Sequence, residues 1–220
     1  MALACVLLVS GGLLFRSLDN LLRVDPGFRP SNALIFDLSL PSSRYPNAAA
    51  QTTFYRTLMR ELSETPGVSS AGGLLYFVYR PKLWLTTAWP EGSRPSPGQE
   101  PVVFYNLVAG DYFGAMGIPL KAGRLPTPRE SWDEPRALVV NETLARQLFP
   151  AGNALGSHLA SGDDTGPRPE IVGIVGDVRQ KRLDEAPKPE LYTTFASMPM
   201  PFLSIVVRTE RDATSHSVAP

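Results

Sequence analysis

Side chains that commonly carry catalysis or bind metals are scarce in this chain of 220 residues. It contains two histidines, His158 and His216, and one cysteine, Cys5, which lies in an apolar stretch. A zinc site usually needs three or four histidine or cysteine ligands, so these residues do not predict one. His158 is a candidate general base for a hydrolase, but no Gly-x-Ser-x-Gly sequence accompanies it. The adjacent Asp163 and Asp164 lack the further spaced ligands of a calcium-binding loop and indicate a solvated loop tip.

Nucleotide-binding sequences are also missing from the chain. There is no Gly-x-x-x-x-Gly-Lys-Ser/Thr run, which excludes ATP hydrolysis by a P-loop within these residues. The two glycines of the stretch 173–177 do not have the spacing of a dinucleotide-binding loop, and bends in a strand explain them better. Together these observations predict a domain that is not an enzyme and holds no cofactor.

Two polar motifs each allow a functional and a structural interpretation. Asn141-Glu142-Thr143 matches the N-glycosylation sequon, but it precedes a helical pattern, where Asn141 would cap the helix. The basic run Arg179-Gln180-Lys181-Arg182 could contact lipid headgroups or an acidic partner. Acidic residues follow it immediately, which favours a solvated loop. The formal net charge of the chain is zero, so no basic face predicts binding to nucleic acid.

The stretch 111–124 combines aromatic residues, glycines and a proline, with little that could do chemistry. Asp111 can cap a short helix in which Tyr112, Phe113 and Met116 turn inward, and Gly117 can end it. The three inward side chains would either line a ligand pocket or, as we predict, pack in the core. The stretch therefore predicts a part that binds or transmits movement.

The sequence divides into an N-terminal apolar stretch and a globular part that holds the residues discussed above. Residues 2–15 carry no charge but are shorter than the roughly 20 residues that span a bilayer. We predict that residues 1–16 are the C-terminal end of a transmembrane helix; a signal peptide and a buried core helix are the alternatives. Residues 17–30 have leucines at helical spacing and predict an amphipathic stalk, which Asp25-Pro26-Gly27 ends.

The globular part alternates short strand and helix patterns. Residues 32–40, a helix capped by Asn47, and a strand within 68–79 predict a strand–helix–strand unit with neighbouring strands. Residues 125–134 predict a loop, because they are polar and contain prolines. Further predicted elements are a short strand within 84–89, strands at 101–108, 137–140, 155–159, 170–178, 191–195 and 203–208, and a helix at 142–149.

Several motifs in this order resemble a known family. They are Leu22-Arg23-Val24-Asp25-Pro26-Gly27-Phe28, Pro66-Gly67-Val68, the stretch 111–124, Val139-Val140-Asn141-Glu142, and Ile171-Val172-Gly173-Ile174-Val175-Gly176-Asp177-Val178-Arg179 followed by Pro189-Glu190-Leu191-Tyr192. The chain resembles, over essentially its whole length, the periplasmic core domain of MacB-type, FtsX-like ABC transporter permeases.

The resemblance implies an α+β domain of two lobes on the extracytoplasmic side of the inner membrane. Residues 31–75 and 170–220 would form the membrane-proximal lobe, and residues 76–169 an inserted outer lobe. It also implies no catalytic residues, a cytoplasmic ATPase subunit or domain as partner, a second permease domain or protomer, and a periplasmic adaptor in some systems. The domain would relay ATP-driven movement of membrane helices for export or envelope remodelling. The segment 80–99 has no counterpart in this pattern.

Two other classes of function compete with this prediction. The chain could be a secreted or membrane-anchored module that binds a ligand or protein, with residues 1–15 as signal or anchor. It could also be an envelope hydrolase, in which His158 would be the general base.

Overall fold

A computed structural model describes residues 10–12, 15–16, 24–75, 84–162, 168–179 and 182–210. Of the first 23 residues, the five described ones are helical. Within the described residues, no helix has both the length and the apolar character needed to cross a bilayer. Five residues of the predicted end of a transmembrane helix at 1–16 and residues 24–30 of the predicted stalk at 17–30 are described, so both stay predictions.

A mixed sheet of nine strands forms the centre of the described fold. Its strands follow the order β1-β11-β2-β5-β10-β7-β9-β6, and β3 pairs with β5. The pairs β5–β10 and β7–β9 are parallel, and the other pairs are antiparallel. A separate two-stranded sheet joins β4 and β8. The strands are β1 (Ala33–Ser39), β2 (Val68–Leu74), β3 (Leu85–Thr87), β4 (Trp89–Pro90), β5 (Val102–Gly110), β6 (Leu120–Gly123), β7 (Ala137–Asn141), β8 (Leu159–Ala160), β9 (Glu170–Val175), β10 (Glu190–Thr194) and β11 (Phe202–Thr209).

Four α-helices after residue 24 accompany the sheet in the described residues, which confirms the predicted α+β class. They are α1 (Ala48–Glu64), α2 (Tyr112–Met116), α3 (Pro128–Trp132) and α4 (Glu142–Leu148). The predicted caps are present: Asn47, Asp111 and Asn141 each accept a hydrogen bond from a backbone N–H of their helix. Gly117 ends α2 with φ of 67°, a conformation that glycine adopts without steric cost.

The predicted loop at 125–134 is wrong, because α3 lies within it. Thr127 and Glu130 form a reciprocal capping box, and Pro128 occupies the first turn of the helix. This pattern of Thr, Pro and Glu commonly marks the start of a helix. Proline is tolerated at the first helical position because a backbone N–H there would have no partner within the helix. Pro128 therefore begins a helix and does not mark a loop.

The predicted neighbouring pair of β1 and β2 is also wrong. β11, from the other end of the chain, lies between them and pairs antiparallel with both. The helix α1 still connects β1 to β2, so the unit is a split strand–helix–strand. Its central strand is more than 120 residues away in sequence from both neighbours, and local sequence patterns do not report such a distant partner.

The sheet runs without a break across the segments of the predicted two-lobe division. β9 and β10 fall in the segment 170–220, yet they pair with β5, β6 and β7 of the segment 76–169. The boundaries of the two lobes stay a prediction.

Three clusters of buried side chains form the core. Leu107 and Val108 are adjacent in β5 but belong to different clusters, so those clusters lie on opposite faces of the sheet. One face packs against α2 through residues such as Tyr112 and Met116. The other face carries one cluster under α1 and another under α4. The helices thus cover both faces of the sheet, and the buried clusters hold each helix in place against the central strands.

Candidate functional site

The candidate catalytic and metal-binding residues do not form a common site in the described structure. The ring of His158 is partly exposed, and its Nδ1 lies 3.9 Å from the Glu91 carboxylate. Glu91 also forms an ion pair with Arg168. Cys5, His216, Asp163 and Asp164 are outside the described residues. Among the residues that the structure describes, no three or more His, Cys, Asp or Glu side chains are grouped as metal ligands would be.

Asn141 is a buried structural residue. It is 0% exposed, and its Oδ1 accepts hydrogen bonds from the backbone N–H of Leu144 at 2.9 Å and of Glu190 at 3.0 Å. Its Nδ2 donates to the carbonyl of Lys188 at 2.7 Å. The side chain therefore caps α4 and also joins β7 to the start of β10. A buried amide with all these partners is not available for glycosylation in the folded chain, so the capping interpretation is confirmed.

The basic run 179–182 is only partly described. Arg182 forms a bidentate ion pair with Asp184, with nitrogen–oxygen distances of 2.9 and 2.7 Å. Arg179 donates through its guanidinium to the carbonyl of Glu185. Gln180 and Lys181 lie outside the described residues. The two arginines are thus engaged within their own loop, which favours the structural interpretation.

The inward side chains of α2 pack in the core, as predicted. Tyr112, Phe113 and Met116 are 1–3% exposed. The rings of Phe113 and Tyr192 meet edge to face, with centroids 5.2 Å apart. Burial, and second the nearby carboxylate of Glu190, raises the pKa of the Tyr112 and Tyr192 hydroxyls. These hydroxyls therefore stay protonated, and the Tyr192 hydroxyl donates a 2.6 Å hydrogen bond to Glu190.

The residues that lead into the first strand, 24–31, form a junction with distant parts of the fold. We call them the lead-in segment. The N–H of Arg29 donates to the carbonyl of Met116 at 2.8 Å, and the N–H of Arg179 donates to the carbonyl of Pro26 at 3.0 Å. At Gly27 an added Cβ would lie 1.9 Å from the carbonyl oxygen of Asp177, so the two backbones are in direct contact. The lead-in segment is thus held by the end of α2 and by the residues after β9.

Arg208 closes this junction from β11. Its guanidinium donates to three backbone carbonyls: Ala115 at 2.8 Å, Ser31 at 2.8 Å and Arg29 at 2.6 Å. Partial burial, and second the positive charge of Arg29, lowers the pKa of Arg208 from its usual high value. The group remains charged at neutral pH because an arginine pKa starts near 12.5. One side chain therefore connects β11, the lead-in segment and the C-terminal end of α2.

A carboxylate positions the neighbouring helix α4. Asp177 accepts hydrogen bonds from the N–H and the hydroxyl of Thr143, both at 2.8 Å. It also accepts from the guanidinium of Arg146 at 3.0 Å. A carboxylate at a helix N-terminus satisfies otherwise free N–H groups and complements the helix dipole. The backbone of Asp177 contacts Gly27, so the same residue joins α4 to the lead-in segment.

The capping box of α3 predicts a measurable dependence of stability on pH. Hydrogen bonds from Arg124 and then Thr127 lower the pKa of Glu130 from 4.5 to about 2. Because the folded-state pKa is the lower one, the stabilisation is complete above about pH 4.5 and is lost as the pH falls towards 2. We expect Glu130→Gln to lower the free energy of unfolding by about 1 kcal/mol at pH 7. Thermal unfolding at several pH values measures this, and the two proteins should converge near pH 2.

The control for Glu130, which pairs with Arg124, is Glu134, which pairs with Arg129 of α3. Arg129 is exposed and Glu134 is about twice as exposed as Glu130, and ion pairs at the surface contribute little. Glu134→Gln should therefore change the melting temperature only slightly. Glutamine can also complete a capping box, so Glu130→Gln mainly removes the charge that pairs with Arg124. An equal effect of the two substitutions at pH 7 would contradict the stabilising role given to this charge.

Comparison with known proteins identifies the fold and the family. A family model described as the MacB-like periplasmic core domain matches residues 4–219. The chain belongs to this family. The periplasmic region of MacB from Actinobacillus actinomycetemcomitans has a similar structure, with a TM-score of 0.54 and 16% identity over 89% of this chain and 82% of that one.

A second structural neighbour is the extracellular domain of the noncanonic ABC-type transporter YknZ from Gram-positive bacteria. It has a TM-score of 0.50 and 18% identity over 82% of this chain and 84% of that one. No curated protein sequence matches the chain. The predicted resemblance is confirmed: this is a MacB-like periplasmic domain of an ABC transporter permease.

Sequence reasoning missed the residue that joins the parts of the junction in this MacB-like domain. Arg208 stands in a strand pattern between Val207 and Thr209, where it would be expected to point to solvent. Its three acceptors are backbone carbonyls, and because every residue has one, the sequence does not identify them. The sequence also assigned no role to Asp177, because it falls within the strand predicted at 170–178, whereas β9 ends at Val175.

Proposed function

We propose that this MacB-like domain is a non-catalytic extracytoplasmic part of its permease that relays ATP-driven movement of membrane helices. The observation that carries the proposal is the junction at Arg208. The lead-in segment contains the described end of the predicted stalk, residues 24–30. Two of its carbonyls and one carbonyl of α2 accept hydrogen bonds from one guanidinium on β11.

The geometry of the junction favours transmission over a flexible linkage. β11 lies between β1 and β2, so a displacement of the lead-in segment would reach the sheet through a strand with partners on both sides. Hydrogen bonds to a charged donor are also stronger than neutral ones. A pull on residues 24–31 would therefore move β11 and α2 together.

The proposal places the domain on the periplasmic side of the inner membrane. Its energy would come from a cytoplasmic ATPase subunit or domain, acting through the permease helices. A second permease domain or protomer and a periplasmic adaptor are further partners of this proposal. The work would be export or remodelling of the envelope, and no part of it would need catalysis by this domain.

Replacing Arg208 tests the relay. We expect Arg208→Met to remove three hydrogen bonds and to lower the free energy of unfolding by about 2 kcal/mol. In the full-length permease with its ATPase, hydrogen exchange is measured with and without trapping by ATP and vanadate. Trapping should change exchange at residues 24–31 and 112–117 in the natural protein. In the variant, trapping should still change hydrogen exchange at residues 24–31 but no longer at residues 112–117, while ATP hydrolysis is retained.

A conservative replacement separates transmission from folding. Arg208→Lys keeps the charge but cannot reach three carbonyls with a planar fork, so an intermediate response is expected. Arg136→Gln, at an exposed arginine, is the control for loss of a positive charge. If trapping leaves exchange throughout the domain unchanged in the natural protein, the relay proposal is wrong.

A further inference from the structure

A cleft lies between α1 and α3, beside the ends of β2 and β5. Its volume is about 690 Å³. Small-molecule sites commonly measure about 300–1,000 Å³, so the cleft has the size of a ligand site. Residues of both segments of the predicted two-lobe division line it.

The inner wall of the cleft is apolar. Met59 from α1, Phe113 from α2 and Trp132 from α3 line it, together with Val108 and Leu125. Met59 and Phe113 are 4% and 3% exposed, so they form a floor and not a protruding patch. Methionine adapts its shape to an incoming apolar group because its side chain is unbranched and flexible. This wall would accept an alkyl chain or a ring.

The charged groups of the cleft are mostly positive. Arg56 and Arg60 come from α1 and Arg129 from α3, whereas the acidic side chains lining the cleft are Asp111 and Asp133. Asp111 is occupied as the cap of α2, accepting from the N–H of Gly114 at 3.1 Å.

Two of the three arginines already have carboxylate partners at the rim. Arg56 forms an ion pair with Asp133, and Arg129 forms one with Glu134. Arg60 makes no hydrogen bond or ion pair with any residue that the structure describes. A guanidinium above an apolar floor therefore has donors available for an anion.

We propose that this cleft binds a small amphipathic anion, with a carboxylate or phosphate head on an apolar body. The head would accept hydrogen bonds from Arg60 and compete with Asp133 for Arg56. The apolar body would lie on Met59, Phe113 and Trp132. The proposal concerns a ligand of the domain and goes beyond the relay.

The test uses the 220-residue chain labelled with ¹³C at its methionine methyl groups. Sodium decanoate is the probe, below its micelle concentration, and decyltrimethylammonium is the matched cation with the same alkyl chain. Decanoate should shift the methyl resonance of Met59 saturably and leave that of Met116, which is buried outside the cleft, unchanged. The cation should have no such effect. Met59→Leu assigns the resonance.

Three substitutions give effects of different sign. Arg60→Gln should weaken decanoate binding about tenfold, because a hydrogen bond to a charged group is lost. Asp133→Asn should strengthen binding, because it releases Arg56. Arg136→Gln removes a positive charge outside the cleft and should change the dissociation constant less than about twofold.

Three results would overturn the cleft proposal. They are equal binding of the cation, shifts at every methionine without saturation, and equal effects of Arg60→Gln and Arg136→Gln. The experiment needs neither the ATPase nor a membrane. Failure here leaves the relay proposal standing, and failure of the exchange experiment leaves this one standing.

Discussion

Gly72→Ala is expected to destabilise this domain strongly, because the added methyl group would meet the backbone of a neighbouring helix. A Cβ at Gly72 would lie 2.3 Å from the backbone nitrogen of Tyr112, 2.4 Å from its Cα and 2.7 Å from the carbonyl carbon of Asp111. All three atoms are backbone at the start of α2, so no side chain can rotate away. Either β2 or α2 must move, and both belong to the core.

We expect the free energy of unfolding to fall by at least about 3 kcal/mol in Gly72→Ala. A domain of this kind has about 5–15 kcal/mol in total, so the loss is a large share. Thermal unfolding should show a decrease of about 6–12 °C in the melting temperature. Because α2 also holds the lead-in segment, hydrogen exchange at residues 24–31 should increase.

Gly73→Ala is the matched control, one position along the same strand. There the nearest atoms are 3.4 Å from the added Cβ, at Leu203, Met59 and Ser204. The substitution should cost less than about 1 kcal/mol, partly because alanine also restricts the unfolded chain. A similar loss of stability in both variants would show that β2 resists any added methyl group, and that contact with α2 is not the cause.

Asn141→Ala is expected to have the second largest effect, about 3 kcal/mol of unfolding free energy. The substitution leaves the buried N–H groups of Leu144 and Glu190 without their acceptor and the carbonyl of Lys188 without this donor. Each buried polar group that loses its partner costs about 1–3 kcal/mol. Chemical denaturation monitored by circular dichroism measures the difference.

The matched control for Asn141 is another asparagine cap. Asn47 begins α1, is exposed, and accepts one hydrogen bond from the N–H of Ala50 at 2.9 Å. Water can replace this bond, so Asn47→Ala should cost about 1 kcal/mol. If the two substitutions cost the same, the bridge from β7 to β10 contributes nothing beyond helix capping.

The sequence was sufficient for several elements because their causes lie within a few residues. Asn47 and Asp111 are identifiable as caps from their place before a helical pattern, and Gly117 from its place after one. The loop prediction at 125–134 failed although the signal was local, since the spacing of Thr127 and Glu130 marks a capping box. The family was also accessible from the sequence, because it depends on the order of many motifs.

The candidate sites were less accessible. The carbonyl acceptors of Arg208 come from residues 29, 31 and 115, which are far from it in sequence. The cleft collects arginines from α1 and α3, about 70 residues apart. No spacing rule connects such positions, because their proximity depends on the strand order of the whole sheet.

The sequence by itself thus determined the caps, the periodicity of strands and helices, and membership of the MacB-like family. Each of these follows from interactions between near neighbours or from the linear order of motifs. Only the tertiary structure decided that β11 lies between β1 and β2, that Arg208 joins the lead-in segment to α2, and that Asn141 reaches β10. The physical reason is that strand pairing and burial are settled by the packing of the whole chain, and a local pattern is compatible with many partners.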